Sequence, residues 1–316
     1  MNNTTAEGAM DYKQIIDAET WAFIDKTLAH YPADAATWSV QKNREVYDDM
    51  SRVFASQRPA GVNTEDRHVA HIPVRVYETG EHDITIVYFH GGGFILGGLD
   101  SHDGVCAELC ARTGYRVVSV DYRLAPEHKH PAAFDDSYQA TMWAADEWQQ
   151  PIVLAGDSAG GNLAAAVAHA IRGKNAAIVG QVLIYPGLGG NVDEGSYITY
   201  ANAPLLTRDE VLYYTDVRYD GGRPVADVAA SPLDDSDFTG LPATVIVSAQ
   251  CDPLSDDGRH YRDKIHAAGG KAVWFNEDGL VHGYLRARHS VERARASFTR
   301  IVEAARALGS GVWPYA

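Results

Sequence analysis

Strand-like and helix-like segments alternate along most of this chain. The segment 84–89 (ITIVYF) is nearly all apolar and consists of β-branched and aromatic residues, which is typical of a strand buried on both faces. Further strands are predicted at 71–77, 116–121, 152–155, 180–185, 243–249 and 271–275. Helices are predicted between them, at 135–149, 162–172 and 258–268. Strands separated by helices predict an α/β fold with a mainly parallel sheet and helices on both faces.

Two regions depart from this alternation. Residues 11–60 carry helical apolar patterns, one running from Ile15 to Leu28 and ending at Pro32, and another around 46–53. Residues 191–226 are rich in Tyr and Asp, include a helical piece near 208–218, and are interpreted as an insertion. The 316 residues suffice for one large α/β domain with an added cap, or for two ordinary domains.

Charge and composition exclude several classes of partner. Forty-two acidic residues against 27 basic ones give a formal net charge of −15, which argues against nucleic acid or an anionic membrane and predicts slow capture of strongly anionic substrates. Residues 1–10 lack the hydrophobic run of a signal peptide, and no stretch approaches the ~18 apolar residues of a membrane span.

The three cysteines are not expected to form a disulfide framework, because their number is odd and the chain is long. We therefore expect a cytoplasmic protein.

The segment 156–161 (GDSAGG) follows a predicted strand and precedes an alanine-rich helix. On such a tight turn the small residues relieve crowding, and the hydroxyl of Ser158 would point away from the carboxyl edge of the sheet. The helix would aim its first N–H groups, including that of Ala159, at a developing negative charge. This pattern predicts a nucleophilic serine; the alternative is a serine that only caps the helix.

The segment 90–94 (HGGGF) directly follows the strand 84–89. It is not a dinucleotide-binding G-x-G-x-x-G, because Leu96 stands at the sixth position, and it lacks the Gly-Lys-Ser/Thr of a phosphate-binding loop. We predict that Gly91 and Gly92, with Ala159, donate N–H groups to an oxyanion, while His90 holds the loop. The alternative is a flexible loop.

An acid and a base follow the serine in the order that this chemistry requires. Asp252 comes just after the strand 243–249, and His282 lies in a predicted loop at 276–283. His282 would take the proton of Ser158, and Asp252 would orient and stabilise the imidazole. His289 is predicted to lie in the C-terminal helix. The rival carboxylates nearby are Asp256, Asp257 and Glu277.

A metal centre is not predicted. The tight pair in 128–130 (HKH) lacks a carboxylate-rich partner motif such as H-E-x-x-H.

Five stretches in order make the chain resemble the hormone-sensitive-lipase-like (bacterial family IV) esterases: 90–94 (HGGGF), 121–128 (DYRLAPEH), 156–160 (GDSAG), 252–257 (DPLSDD) and 282–284 (HGY). The resemblance implies a single α/β-hydrolase domain over 1–316, with an eight-stranded sheet and a helical cap made of about 1–60 and 191–226. It implies the triad Ser158, Asp252 and His282 and the oxyanion donors given above. It also implies that Pro126, Glu127 and His128 position the oxyanion loop.

The resemblance further implies hydrolysis of carboxylic esters with short to medium acyl chains, no cofactor, and a homodimer in many members. For the substrate pocket we predict a contribution from Tyr284, whose hydroxyl could tune leaving-group preference, and from further apolar side chains: Phe94, Leu205, Leu206, Tyr213 and Tyr214. Two alternatives stay open: an amidase such as an arylformamidase using the same triad, and a non-catalytic small-molecule receptor.

Overall fold

A computed structural model describes residues 10–32, 34–174 and 177–315. Residues 1–9, which carry most of the segment used to exclude a signal peptide and the start of the predicted cap, lie outside these ranges. The strands are β1 (Asn63–Val69), β2 (Ile72–Glu78), β3 (Thr85–Phe89), β4 (Arg116–Val120), β5 (Ile152–Asp157), β6 (Ile178–Ile184), β7 (Ala243–Cys251) and β8 (Ala272–Val281). The helices are α1 (Ala18–His30), α2 (Val40–Val53), α3 (Asp103–Thr113), α4 (Ala132–Trp148), α5 (Ala159–Ile171), α6 (Ser196–Thr199), α7 (Arg208–Arg218), α8 (Ser255–Ala267) and α9 (Glu292–Gly309).

The eight strands form one sheet in the order β1-β2-β4-β3-β5-β6-β7-β8. The pairs β1–β2 and β2–β4 are antiparallel, and every pair from β4 to β8 is parallel. The predicted eight-stranded, mainly parallel sheet is confirmed. Because β3, β5, β7 and β8 run in the same direction, the segments after them meet at one edge.

Helices cover both faces of the sheet, as predicted. On one face α3 and α9 pack through apolar side chains such as Leu109 and Phe298. On the other face α4, α5 and α8 pack through residues such as Leu163 and Ile265. No helix in the described ranges is long and apolar enough to cross a membrane. The insertion 191–226 contains α6 and α7, and α7 begins with a capping box in which Thr207 and Glu210 bond reciprocally.

The predicted loop 276–283 is wrong, because β8 continues to Val281. β8 is an edge strand, so its polar residues can face solvent while the backbone stays paired with β7. The pairing register shifts between Ala249 and Cys251, and Gly279 donates its N–H to Oε1 of Gln250 at 2.7 Å. His282 therefore follows the strand end directly.

Candidate active site

Ser158 occupies the turn between β5 and α5 with φ +55° and ψ −116°, a conformation that non-glycine residues rarely adopt. Its N–H donates to the carbonyl of Ile184 at 2.9 Å. A Cβ on Gly156 would clash with the Gly160 carbonyl, and one on Gly160 would clash with the Phe89 carbonyl. The turn therefore needs both glycines. Ser158 precedes the helix, but its side chain makes no capping hydrogen bond.

A continuous hydrogen-bond chain joins the three predicted catalytic residues. Oγ of Ser158 lies 2.8 Å from Nε2 of His282, and Nδ1 of His282 lies 2.7 Å from Oδ2 of Asp252. Asp252 is fully buried and accepts a second hydrogen bond from the Leu254 N–H at 2.9 Å. An ionised Asp252 fixes the proton on Nδ1 and leaves Nε2 to accept from the serine hydroxyl.

The rival carboxylates are bound elsewhere. Asp256 pairs with Arg259 at 2.9 Å, and Glu277 pairs with Arg300 at 3.0 Å. Asp257 accepts from the Leu188 N–H at 2.7 Å and from the Tyr197 hydroxyl at 3.1 Å. His282 makes its hydrogen bond to Asp252 instead.

The oxyanion loop differs from the prediction at one glycine. The N–H of Gly91 donates to Oδ1 of Asp157 at 3.0 Å, so it is not free for a substrate. Within the described part of the chain, the N–H groups of Gly92, Gly93 and Ala159 have no protein acceptor. Gly93, which the sequence prediction does not include, is therefore a candidate donor. The available signal was Asp157 itself, because a carboxylate beside a buried turn needs hydrogen-bond donors.

Close packing fixes the conformation of this loop. A Cβ on Gly92, whose φ is +124°, would clash with the Leu96 carbonyl, and one on Gly93 would lie 2.6 Å from the Tyr214 ring. His90 donates from Nδ1 to the Gly91 carbonyl at 2.8 Å, and its ring stacks on Tyr122 with centroids 4.2 Å apart. Burial lowers the pKa of His90 to about 3, so it stays neutral and serves as a fixed part of the loop.

Asp157 is a buried anion next to Ser158. Besides the Gly91 N–H it accepts from the Tyr88 hydroxyl at 2.7 Å, and Nε2 of His102 lies 3.3 Å away. Burial by itself would raise the pKa of Asp157, but His102 and the hydrogen bonds outweigh it and hold the pKa well below its usual range. The carboxylate is therefore ionised.

The DYRLAPEH segment is tied to the oxyanion loop through α2. Arg44 donates to both carboxylate oxygens of Glu127, at 2.8 and 2.7 Å, and its Nε donates to the Ile95 carbonyl at 2.8 Å. The same guanidinium donates to the Ala125 carbonyl at 2.9 Å. Glu127 thus orients an arginine that holds the chain just after Phe94.

A cavity of about 550 Å³ opens over Ser158 and His282. Four of the predicted pocket residues line it: Phe94, Leu205, Leu206 and Tyr214. Sequence reasoning missed contributors from α1, α2 and α7, because helical periodicity does not reveal which turn faces the cavity. Those contributors include Thr27, Leu28, Tyr47, Met50 and Arg218.

Two predicted pocket residues lie elsewhere. Tyr284 is fully buried, and its hydroxyl is 2.7 Å from Oγ of Ser297, so it does not reach the substrate. Its ring packs against Tyr185 with centroids 5.1 Å apart. Tyr213 is half-buried beside Tyr214, with ring centroids 5.6 Å apart, and it does not line the cavity. No three His, Cys, Asp or Glu side chains gather as metal ligands in residues 10–32, 34–174 and 177–315.

The sequence matches the family Abhydrolase_3, described as an alpha/beta hydrolase fold, over residues 86–286. It is 40% identical over 228 residues to Carboxylesterase NlhH of Mycobacterium tuberculosis, spanning 68% of this chain and 71% of that protein. It is 30% identical over 256 residues to Ethyl acetate hydrolase of Pseudomonas putida, spanning 77% and 80%. The structure superposes on the Pyrobaculum calidifontis esterase with a TM-score of 0.80 at 34% identity, covering 87% of this chain and 94% of that one.

Proposed function

This chain belongs to the Abhydrolase_3 family of α/β-hydrolases, the family of hormone-sensitive-lipase-like esterases, and we propose that it hydrolyses carboxylic esters of short to medium acyl chains through an acyl-enzyme. One observation carries the proposal. The hydrogen-bond chain Ser158–His282–Asp252 stands beside backbone N–H groups that have no protein acceptor in the described part of the chain. This is the arrangement that acyl transfer to a serine needs.

The first half of the reaction forms the acyl-enzyme. Nε2 of His282 takes the hydroxyl proton as Oγ of Ser158 attacks the ester carbonyl carbon, and Asp252 stabilises the resulting imidazolium. The N–H groups of Gly92, Gly93 and Ala159 receive the negative charge on the carbonyl oxygen. The imidazolium then protonates the departing alcohol, and the acyl group stays on Ser158.

The second half repeats the same steps with water. His282 removes a proton from a water molecule, whose oxygen attacks the acyl carbon through a second oxyanion. The imidazolium returns the proton to Oγ of Ser158, and the carboxylic acid leaves. The positive φ of Ser158 belongs to a tight turn that presents this residue to the cavity for both steps.

We propose that α1, α2 and the insertion 191–226 together form a cap that limits acyl length. Leu28 from α1, Met50 from α2 and Val211 from α7 line the cavity that holds Ser158. A cavity of about 550 Å³ is in the usual range for small-molecule sites. The relative from Pseudomonas putida is an ethyl acetate hydrolase, which favours short acyl groups for this chain as well.

The test is hydrolysis of p-nitrophenyl esters from acetate to decanoate, with Ser158→Ala as the control. We expect the highest kcat/KM between acetate and octanoate and a loss of roughly 10⁴-fold or more in kcat for Ser158→Ala. Activity that survives this substitution would exclude Ser158 as the nucleophile. A parallel panel of p-nitroacetanilide and N-formyl anilines separates esterase from amidase: turnover of the amides and not of the esters contradicts the proposal.

A further inference from the structure

Arg218, the last residue of α7, lines the same cavity as Ser158 and is only 5% exposed. In the part of the chain that the structure describes, no carboxylate lies within ion-pair distance of its guanidinium. The nearby Asp227 is bound elsewhere, to Nε2 of His130 at 2.9 Å and to the Ala229 N–H at 3.0 Å. Arg218 is thus a buried cation that faces the cavity and makes no ion pair with a carboxylate of the described residues.

The hydrogen bonds of Arg218 are long. They reach the Ala230 carbonyl at 3.5 Å, the Ala229 carbonyl at 3.5 Å and Oδ1 of Asn162 at 3.4 Å. The guanidinium lies 3.4 Å from the ring centroid of Phe94, so a cation–π contact supplies part of its stabilisation. All of these partners are neutral, whereas buried charges in proteins are normally paired with an opposite charge.

The residues around Arg218 indicate which part of a bound ester, the acyl chain or the alcohol, would lie near it. Asn162, which it contacts, lies one helical turn after Ser158 and donates its N–H to the Ser158 carbonyl at 3.1 Å. Phe94 directly follows Gly93, whose N–H is a proposed oxyanion donor. The departing alcohol must instead lie at His282, whose ring packs on Tyr185. The acyl chain would then be the part of the ester that points towards Arg218.

We propose that Arg218 binds an ionised carboxylate at the far end of the acyl chain, which makes monoesters of dicarboxylic acids the preferred substrates. The proposal rests on the esterase function above and names its substrate class. A guanidinium can donate two parallel hydrogen bonds to a carboxylate, and such charge-assisted pairs are strong when shielded from water. Hydrolysis cleaves the ester end only, with water supplying the hydroxyl, and releases an alcohol and the free dicarboxylate.

α7 also carries the acidic residues Asp209, Glu210 and Asp216. Asp209 and Glu210 line the same cavity at the other end of the helix, and Asp216 is exposed. Glu210 bonds to Thr207 at the beginning of α7, eight residues before Arg218, which corresponds to about 12 Å along a helix. The net charge of −15 acts over the whole surface and would by itself slow the capture of anions. Arg218 would reverse that disadvantage only for a carboxylate placed at the correct distance from Ser158.

The experiment compares ethyl esters of butanoic to octanoic acid with monoethyl esters of the dicarboxylic acids of four to eight carbons. The rate of hydrolysis is measured by pH-stat titration of the acid released. At one chain length we expect kcat/KM for the monoester to exceed that for the neutral ester at least fivefold. Neutral esters that are faster at every length overturn the inference and leave the esterase function standing. If neither series is hydrolysed, the proposed function itself fails. A preference confined to acetoxyacetate, with its carboxylate on the alcohol, also overturns the inference.

Variants distinguish binding from a structural role. In Arg218→Met the ratio of kcat/KM between the monoester and the neutral ester should fall roughly tenfold or more, and Arg218→Lys should restore part of it. Arg52→Met removes one exposed positive charge and serves as the matched control, with an unchanged ratio. If Arg218 only supports the fold, both substrates lose activity equally, the ratio stays constant, and the inference is overturned.

Discussion

The carboxylate of Asp157 accepts a hydrogen bond from the backbone N–H of Gly91 at 3.0 Å. Asp157 directly precedes Ser158, the proposed nucleophile, and Gly91 directly precedes the two glycines whose N–H groups have no protein acceptor in the described ranges. One buried anion thus joins the nucleophile turn to the oxyanion loop. We therefore expect this bond to set the distance between Ser158 and the proposed oxyanion donors.

Asp157→Asn should lower kcat more than it raises KM. The amide can still accept from Gly91, but it loses the negative charge that lies 3.3 Å from Nε2 of His102, and we expect the oxyanion loop to shift as a result. Since a single oxyanion donor contributes about 10²–10³ in kcat, a displaced loop should cost roughly 10- to 100-fold. Steady-state kinetics with p-nitrophenyl butyrate measure this, with the exposed Asp146→Asn as control. A raised KM at unchanged kcat would contradict the positioning role.

The sequence is enough to predict the buried strands and the chemical groups that come shortly after them, although not the exact residue at which each strand ends. Asp252 and Ser158 both directly follow buried strands of one parallel sheet, and the structure brings them together through His282. The extent of β8 was missed because an edge strand tolerates polar residues such as Glu277. The order of these residues along the chain therefore predicts that Ser158, Asp252 and His282 lie at one edge of the sheet, even when the packing is unknown.

Contacts between distant segments could not be predicted in this way. Whether Gly91 or Gly93 offers a free N–H depends on a carboxylate 66 residues away in sequence. Tyr284 is predicted to line the pocket because it lies two residues after His282, but the structure places it elsewhere. Gly283, with φ +76°, turns the chain so that Tyr284 enters the core.

Asp252→Asn should lower kcat by about 10³- to 10⁴-fold, because an amide does not stabilise the imidazolium and permits the wrong tautomer of His282. KM should change little, since Asp252 is fully buried and does not line the cavity. Asp256→Asn is the matched control: its carboxylate pairs with Arg259, and its loss should change kcat less than threefold. Equal effects of the two substitutions on p-nitrophenyl butyrate hydrolysis would be incompatible with the assigned triad.

Tyr284→Phe should reduce stability and leave the leaving-group dependence unchanged. The substitution removes the 2.7 Å hydrogen bond to Ser297 in the core and leaves that hydroxyl unpaired, which costs about 1–3 kcal/mol in the free energy of unfolding. Adding Ser297→Ala removes the unpaired group and should recover part of the loss. Urea denaturation measures stability, and the ratio of phenyl acetate to p-nitrophenyl acetate turnover measures the leaving group. A change in this turnover ratio would mean that the Tyr284 hydroxyl acts on the leaving group, contrary to the prediction.

Ionisation of Asp257 should lower the free energy of unfolding as the pH rises through about 6. Burial raises the pKa of this carboxyl to about 6, and the hydrogen bonds from Leu188 and Gly190 only partly oppose that rise. Between the unfolded pKa of about 3.9 and the folded one, the native state binds the extra proton. Its contribution to stability is therefore complete below pH ~4 and is lost as the pH passes 6.

The variant Asp257→Asn lacks this titration. Its free energy of unfolding relative to the wild type should therefore increase between pH 4.5 and pH 7.5, by an amount on the order of 1–3 kcal/mol. Urea unfolding at the two pH values gives the difference directly, and Asp256→Asn, at a partly exposed carboxylate, is the control. A wild-type-to-variant difference that is the same at both pH values would mean that Asp257 is already ionised in the folded protein at pH 4.5, held by its three hydrogen-bond donors Leu188, Gly190 and Tyr197.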